Sequence, residues 1–333
     1  MLQRMEKPGL TNINCPGFCG KILLNISNHE EFYSDCTACP WGTRVTNNFK
    51  CNECTNLIQN YDLLFLIFHG LIPFLINSCF IRSYSFGPKK QRKISRIWIG
   101  LQFLSAALES SLGFIFTLLI FKPYGSLKIF TCQKHFLFEW YPMFYNPTIN
   151  YTKTLKCSSE LVYPMFSFPF ANLAFNLLNL LILRTFLYLI AHFKSEKKLP
   201  SEPFYAVLWT LPLISLVHSI CSGLIYYSFP YIMLLTSLTL TAFHFAYEGR
   251  KNIKQLLQII FTEPENFITM IIHMALFGFS LYSIYLSVPN YFLLSKTKIY
   301  GLIGAMLPLP SIFYILTVKL TIPQRTTMRY PRI

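Results

Sequence analysis

The sequence predicts an all-α polytopic membrane protein with about seven transmembrane helices and a small disulfide-rich lumenal domain at its N-terminus. Apolar runs of about 18 to 25 residues, the length that crosses a bilayer, recur along the chain. Only 13% of the residues are charged, whereas an ordinary soluble domain has about 25%. Because backbone groups in lipid must hydrogen-bond internally, the apolar runs are expected to be helices.

The apolar runs and the polar segments between them predict three domains. We expect a cysteine-rich lumenal head at residues 1–60, a membrane domain at 61–320 and a short basic cytosolic tail at 321–333. A tight turn around Pro230, from Ser228 to Tyr231, is predicted to separate two of the spans. The predicted spans are 63–81, 97–121, 170–190, 204–227, 231–247, 267–288 and 299–320, with a lumenal loop at 122–162.

The distribution of Lys and Arg predicts the orientation of the chain. Six cations lie in the fifteen residues from Arg82 to Arg96, directly after the first span. With the N-terminus lumenal and the C-terminus cytosolic, the cytosolic segments are roughly two to three times richer in cations than the opposite side, as the positive-inside rule requires. The net charge of +15 therefore indicates topology and contact with membrane lipid. It does not indicate nucleic acid, because the cations do not form a basic patch interleaved with aromatic residues.

The cysteines of the head admit two interpretations. Cys36, Cys39, Cys51 and Cys54 have the spacing C-x2-C-x11-C-x2-C, which suits a tetrahedral zinc site. On the lumenal side thiols oxidise, and a segment of this size is usually stabilised by disulfides, so the predicted topology favours disulfides. The disulfide candidates are Cys15, Cys19, Cys36, Cys39, Cys51, Cys54, Cys132 and Cys157. Six cysteines alone allow fifteen connectivities, and the pairing stays open.

Two glycosylation sequons lie on the side that the charges predict to be lumenal. Asn25 precedes Ile and Ser in the head, and Asn150 precedes Tyr and Thr in the loop. Each pattern is short and arises by chance, but both fall on the same predicted side. The sequence therefore predicts glycans at Asn25 and Asn150.

Polar residues within the apolar runs are candidates for a functional site. Glu109 lies mid-way along the second span and Arg184 lies late in the third. Such residues are costly in lipid and often bind a proton or substrate. The alternatives are a structural ion pair, or an Arg184 side chain that extends to the cytosolic interface. Asn172, Asn176 and Asn179 have helical spacing and are expected to bond a neighbouring helix.

No catalytic or cofactor-binding constellation is evident in the sequence. His69, His218, His244 and His273 occur singly in four different spans. The sequence contains no HxxxH, HExxH or GxSxG motif, so a membrane metalloenzyme or serine hydrolase has no recognisable set of residues. We therefore expect a protein that is not an enzyme and has no cofactor.

Five short motifs occur between the cysteine-rich head and the later spans: CPGFCGK at 15–21, CTACP at 36–40, CNEC at 51–54, WYPMFYNP at 140–147 and GLIYYSFPY at 223–231. Together these motifs resemble those of the JAMP family, the Jun-kinase-associated membrane proteins of the endoplasmic reticulum. The resemblance implies an endoplasmic-reticulum protein that acts as an adaptor. It would recruit ubiquitin ligases and proteasome components to misfolded membrane proteins and would prolong signalling by Jun kinase.

Two other functions fit the sequence features and remain alternatives. A seven-helix receptor would bind a ligand with its cysteine-rich head. A channel or transporter would use Glu109 and the membrane histidines.

Overall fold

The computed structural model describes most of the chain as helices with a small strand-containing head. The described residues are 14–27, 30–86, 95–132, 136–142, 157, 159–194, 199–248, 258, 262, 264–288 and 296–321. The chain forms two compact units, Met1–Tyr226 and Tyr227–Ile333. Asn150 and residues 322–333 of the predicted tail lie outside the described residues.

The head is built from short antiparallel strand pairs. Strand β1 (Leu23–Ser27) pairs with β2 (Glu30–Tyr33), and β3 (Thr43–Val45) pairs with β4 (Cys51–Glu53). Its apolar core is small: Cys15, Cys19 and Cys157 form a buried cluster. A domain with so little apolar core depends on covalent links for its stability.

Four disulfides link all eight candidate cysteines. The pairs are Cys15–Cys36, Cys39–Cys51, Cys19–Cys157 and Cys54–Cys132. The predicted disulfide-rich head is thus confirmed. The four cysteines of the alternative zinc site lie in three different disulfides. A metal ligand must be a thiolate, so the cysteines in this arrangement do not provide a zinc site.

Two of the disulfides connect the head to the loop that follows the second helix. Cys19 bonds Cys157, and Cys54 bonds Cys132, at sequence separations of 138 and 78 residues. A third connection is made by strand β5 (Asn56–Leu57), which pairs with β6 (Phe130–Thr131) in that loop. The head and the loop therefore form one structural body at one end of the first two helices.

Six helices in the described part of the chain are long and apolar enough to cross a membrane. Helices α1 (Asn60–Phe86) and α2 (Arg96–Ile120) are joined through the basic loop. Helix α3 (Ser167–Asn179) continues through a π-helical turn (Leu180–Arg184) into α4 (Thr185–Lys194). The remaining helices are α5 (Glu202–Glu248), α6 (Pro264–Ser287), α7 (Lys296–Met306) and α8 (Leu309–Thr321), the last two forming one candidate span.

Helix α5 contradicts the predicted tight turn at Ser228–Tyr231. The helix runs through these residues and departs from helical geometry at Cys221 instead. Its apolar stretch of 43 residues is about twice the roughly 20 residues that one membrane span needs. This stretch is one continuous candidate among the six, so the structure does not confirm the count of seven spans, which stays a prediction.

At two of the prolines inside these helices, another element satisfies the carbonyl that the proline frees. Pro73 cannot bond the carbonyl of His69, four residues earlier, and Asn172 donates to that oxygen at 3.0 Å. Pro230 frees the carbonyl of Tyr226 in the same way, and the Tyr61 hydroxyl donates to it at 2.9 Å. In lipid an unsatisfied carbonyl costs several kcal/mol, so these partners make the prolines tolerable.

The long-range disulfides predict how a cleaved chain migrates on a gel. We expect a protein cut at a protease site inserted between Lys90 and Gln91 to stay as one species without reductant, because Cys19–Cys157 and Cys54–Cys132 hold the fragments together. Reductant should separate them. The measurement is denaturing electrophoresis of the cleaved protein with and without reductant.

The control variants test each link separately. Replacing both Cys132 and Cys157 by Ser should separate the fragments without reductant, whereas replacing either one alone should not. If the cleaved protein that keeps all its cysteines separates into fragments without reductant, the disulfide pairing is contradicted.

Candidate functional site

The structure brings the two predicted charged residues of the membrane domain into direct contact. Arg184 donates from Nε to Glu109 Oε1 at 3.0 Å and from Nη2 to Glu109 Oε2 at 3.1 Å. The side chains are 0% and 1% exposed. This is a bidentate ion pair, the arrangement in which a guanidinium and a carboxylate bond most strongly.

Two neutral residues add hydrogen bonds to the ion pair, and Arg184 Nη1 has no hydrogen-bond partner among the described residues. Asn77 of α1 donates to Glu109 Oε2 at 3.0 Å and accepts from Arg184 Nη2 at 3.2 Å. Ser105, one turn before Glu109 on α2, donates to Oε1 at 2.6 Å. Both carboxylate oxygens therefore have two donors. The site joins α1, α2 and the π-helical turn through side chains alone.

The π-helical turn lies where α3 meets the ion pair. A π-helical turn adds a residue to the local helical repeat and so changes which side chains face a neighbouring helix. Arg184 is the last residue of this turn and is fully buried against Glu109. The alternative in which Arg184 extends to the cytosolic interface is therefore wrong.

The predicted asparagine face of α3 bonds neighbouring helices. Asn172 donates to the His69 carbonyl of α1, and Asn179 donates to the Glu109 carbonyl of α2 at 3.1 Å. Asn176 lies against Gly113, where a Cβ atom would come within 2.6 Å of the amide nitrogen. Glycine at this position lets α2 and α3 approach closely. The hydrogen bonds of Asn172 and Asn179 confirm the expectation for this face, whereas Asn176 donates to Asn172 of its own helix.

The histidines that occur singly in the sequence are paired in space. The rings of His69 and His218 lie 4.9 Å apart, and those of His244 and His273 lie 5.7 Å apart. His218 Nε2 is 3.0 Å from the Phe166 carbonyl. Within the described residues no three His, Cys, Asp or Glu side chains are grouped so that they could hold a metal ion.

The head and the loop are also joined by buried polar contacts. Arg44 of β3 forms an ion pair with Glu139, which is buried, and donates to the Leu161 carbonyl at 3.3 Å. Trp41 donates from its indole nitrogen to Glu160 Oε2 at 2.9 Å. These contacts supplement the disulfides and fix the orientation of the head against the loop.

Glu160 lies at the start of α3 and accepts hydrogen bonds from the helix. Its Oε1 accepts from the backbone N–H groups of Phe166 and Ser167 at 3.2 and 2.9 Å. A carboxylate is favourable at a helix N-terminus, where N–H groups lack helical partners. Burial nevertheless raises the pKa of the Glu160 carboxyl. Burial also raises the pKa of the adjacent Tyr163 to about 12, so this tyrosine is neutral at physiological pH.

Comparison with known proteins decides the family. The sequence model of the family described as JNK1/MAPK8-associated membrane protein, or JAMP, matches residues 15–323. The chain belongs to the JAMP family.

Named relatives cover almost the whole chain. A Caenorhabditis elegans protein, "JNK1/MAPK8-associated membrane protein homolog", is 32% identical over 328 residues, which is 95% of each chain. The Homo sapiens and Mus musculus proteins named "JNK1/MAPK8-associated membrane protein" are 32% and 31% identical, over 92% of this chain and 93% of theirs. No solved structure matches the chain.

Several residues of this JAMP-family chain could not be assigned to a site from the sequence. Asn77, Arg44 and Glu139 are single polar residues whose partners lie 32 to 107 residues away along the chain. No short motif signals such contacts. Glu160 had one local signal, because it precedes a helix start by seven residues.

Replacing Arg184 by Met should destabilise the membrane domain. The change leaves the Glu109 carboxylate buried without its guanidinium, and breaking a buried pair in this way costs about 3–5 kcal/mol. We expect a lower temperature of thermal unfolding in mild detergent and lower cellular abundance. The measurement is the fraction that remains monodisperse after heating.

The matched control removes both charges. The double variant Glu109→Gln with Arg184→Met leaves no unpaired charge and should be more stable than Arg184→Met alone. A double variant no more stable than the single variant would show that the ion pair does not act as a unit.

Proposed function

We propose that the chain is a non-enzymatic adaptor of the endoplasmic-reticulum membrane that assists the degradation of misfolded membrane proteins. In this role it recruits ubiquitin ligases and proteasome components, and it binds JNK1/MAPK8 and modulates stress signalling. The observation that carries the proposal is the similarity over almost the full chain to membrane proteins named for association with JNK1/MAPK8.

The buried ion pair supports a structural membrane domain. A residue that transports a proton or substrate needs access to water and a free coordination position. Glu109 is 1% exposed and accepts hydrogen bonds from Arg184, Asn77 and Ser105. These contacts occupy the carboxylate and favour a role in holding helices together over the transporter alternative.

The disulfide-bonded head supports a lumenal N-terminus. Four disulfides are stable in an oxidising compartment and are rare in the cytosol. The sequon residue Asn25 is exposed on β1 of the same head. With the head in the lumen, kinase, ligase and proteasome components would bind the opposite, cytosolic side.

Glycosidase treatment tests the proposed location and sidedness. We expect the wild-type protein to run faster after digestion with an enzyme specific for high-mannose glycans, because Asn25 and Asn150 would be modified in the lumen and the protein would stay before the Golgi. Asn25→Gln and Asn150→Gln should each lose one step of the mobility shift. A chain that carries no glycan at either site, or only glycans resistant to the enzyme, would contradict the proposed location.

Affinity capture tests the proposed partners. The full-length protein, captured from cells in mild detergent, should retain JNK1/MAPK8, proteasome subunits and a ubiquitin ligase, because an adaptor binds these components on its cytosolic face. An unrelated multispan protein of the same membrane, expressed at the same level, is the control. The measurement is quantitative mass spectrometry of the captured material.

Protease treatment of intact microsomes before capture adds a test of sidedness. Removal of the cytosolic segments should abolish capture and leave the disulfide-linked head intact. The adaptor function would be contradicted if JNK1/MAPK8, proteasome subunits and ubiquitin ligases were all recovered at no more than the control level.

A further inference from the structure

A groove of about 410 Å³ lies between α1 and α2 in the membrane domain. The side chains that line it include Leu71 and Phe74 of α1 and Ala107, Ser110 and Phe114 of α2. Each lining residue belongs to one of these two candidate spans. The groove therefore lies within the length of two candidate membrane spans.

Small residues form much of the groove. Gly70 lies where a Cβ atom would come within 2.7 Å of the Phe114 ring, so glycine lets this ring pack directly on the backbone of α1. Ala107 and Ser111 lie four residues apart on α2. Small residues at this spacing allow the backbone of a second helix to approach closely.

One polar group in the groove has no partner in the part of the chain that the structure describes. Ser110 is 6% exposed, and its hydroxyl oxygen makes no hydrogen bond among the described residues. Two turns later on the same helix, the Thr117 hydroxyl donates to the Gly113 carbonyl at 2.7 Å, the usual solution for a hydroxyl in a membrane helix. Ser110 is thus a buried, unpartnered hydroxyl on the wall of the groove.

The depth of Ser110 restricts what that ligand can be. Ser110 lies two residues, about 3 Å, beyond the midpoint of α2 (Arg96–Ile120). The polar groups of lipids and sterols lie at the bilayer surfaces, about 15 Å from the midplane. At the depth of Ser110 a lipid offers only hydrocarbon. A transmembrane helix, in contrast, can place a polar side chain at any depth.

We propose that this groove binds a transmembrane helix of another membrane protein that carries a polar side chain near its midpoint. The partner backbone packs on Ala107 and Ser111, and its polar side chain forms a hydrogen bond with Ser110. A membrane protein that has failed to assemble exposes such a side chain to lipid. The assignment of the partner to degradation clients rests on the function proposed above, whereas the binding itself does not.

A reconstituted system tests the binding without other proteins. The purified full-length protein is placed in phosphatidylcholine vesicles with a trace of fluorescent polyleucine helix that has one Asn at its centre. Energy transfer between a dye on the protein and the fluorescent helix measures their association. We expect the Asn helix to bind at least roughly threefold more tightly than a polyleucine helix, the factor typical of one interhelical hydrogen bond. The Ser110→Ala variant should bind the two helices equally.

Two further variants separate the groove from the rest of the helix surface. Ala107→Phe fills the groove and should weaken the binding of both helices. Leu104→Phe, at a position of α2 that is 54% exposed and does not line the groove, should bind like the wild type. Equal binding of the two helices by the wild type, or unchanged preference in Ser110→Ala, would overturn the proposal.

A photo-crosslinking residue at position 115, where the large side chain of Ile115 lines the groove and is 41% exposed, identifies the occupant. Crosslinks to the added Asn helix support the proposal. Crosslinks only to lipid, to a second copy of this chain or to residues 227–333 of the same chain overturn it. Because the vesicles contain no kinase, ligase or proteasome, this result is independent of the capture experiment on the adaptor function.

Discussion

The ion pair between Glu109 and Arg184 is the interaction on which the membrane domain depends. Each charge alone would be unfavourable at its depth, by at least about 2.5–3.5 kcal/mol for a residue at the centre of a membrane helix. Together with Asn77 and Ser105 they form a hydrogen-bonded cluster that joins α1, α2 and the π-helical turn. Apolar packing against lipid-like surfaces does not select one helix arrangement, whereas this cluster has one satisfying geometry.

The same constraint, that every polar group in lipid needs a partner, explains the other contacts among these helices. Asn172 bonds the carbonyl that Pro73 leaves free, and Tyr61 bonds the carbonyl that Pro230 leaves free. Each proline thus creates a position where a second element must donate a hydrogen bond. The head is held against the loop by two disulfides, by the β5–β6 strand pair and by buried polar contacts such as Arg44–Glu139.

The fold class could be predicted because helix length and cysteine content are local properties of the sequence. Glu109 and Arg184 could be singled out because charges are rare in apolar runs, but their contact joins residues 75 positions apart and no spacing rule connects them. The turn at Pro230 was predicted from the missing backbone donor, and Tyr61 compensates for that loss from 165 residues away. The disulfide pairing depended on which loop cysteines meet the head, and that is a property of the helix packing.

The two disulfides between head and loop also impose an order on the biogenesis of the protein. Cys19 and Cys54 leave the ribosome 138 and 78 residues before their partners. Cys15–Cys36 and Cys39–Cys51 need only residues of the head itself. Cys19–Cys157 and Cys54–Cys132 can form only after the loop that follows α2 lies on the same side of the membrane as the head. Complete oxidation of the head is therefore a chemical record that the first helical hairpin has been inserted correctly.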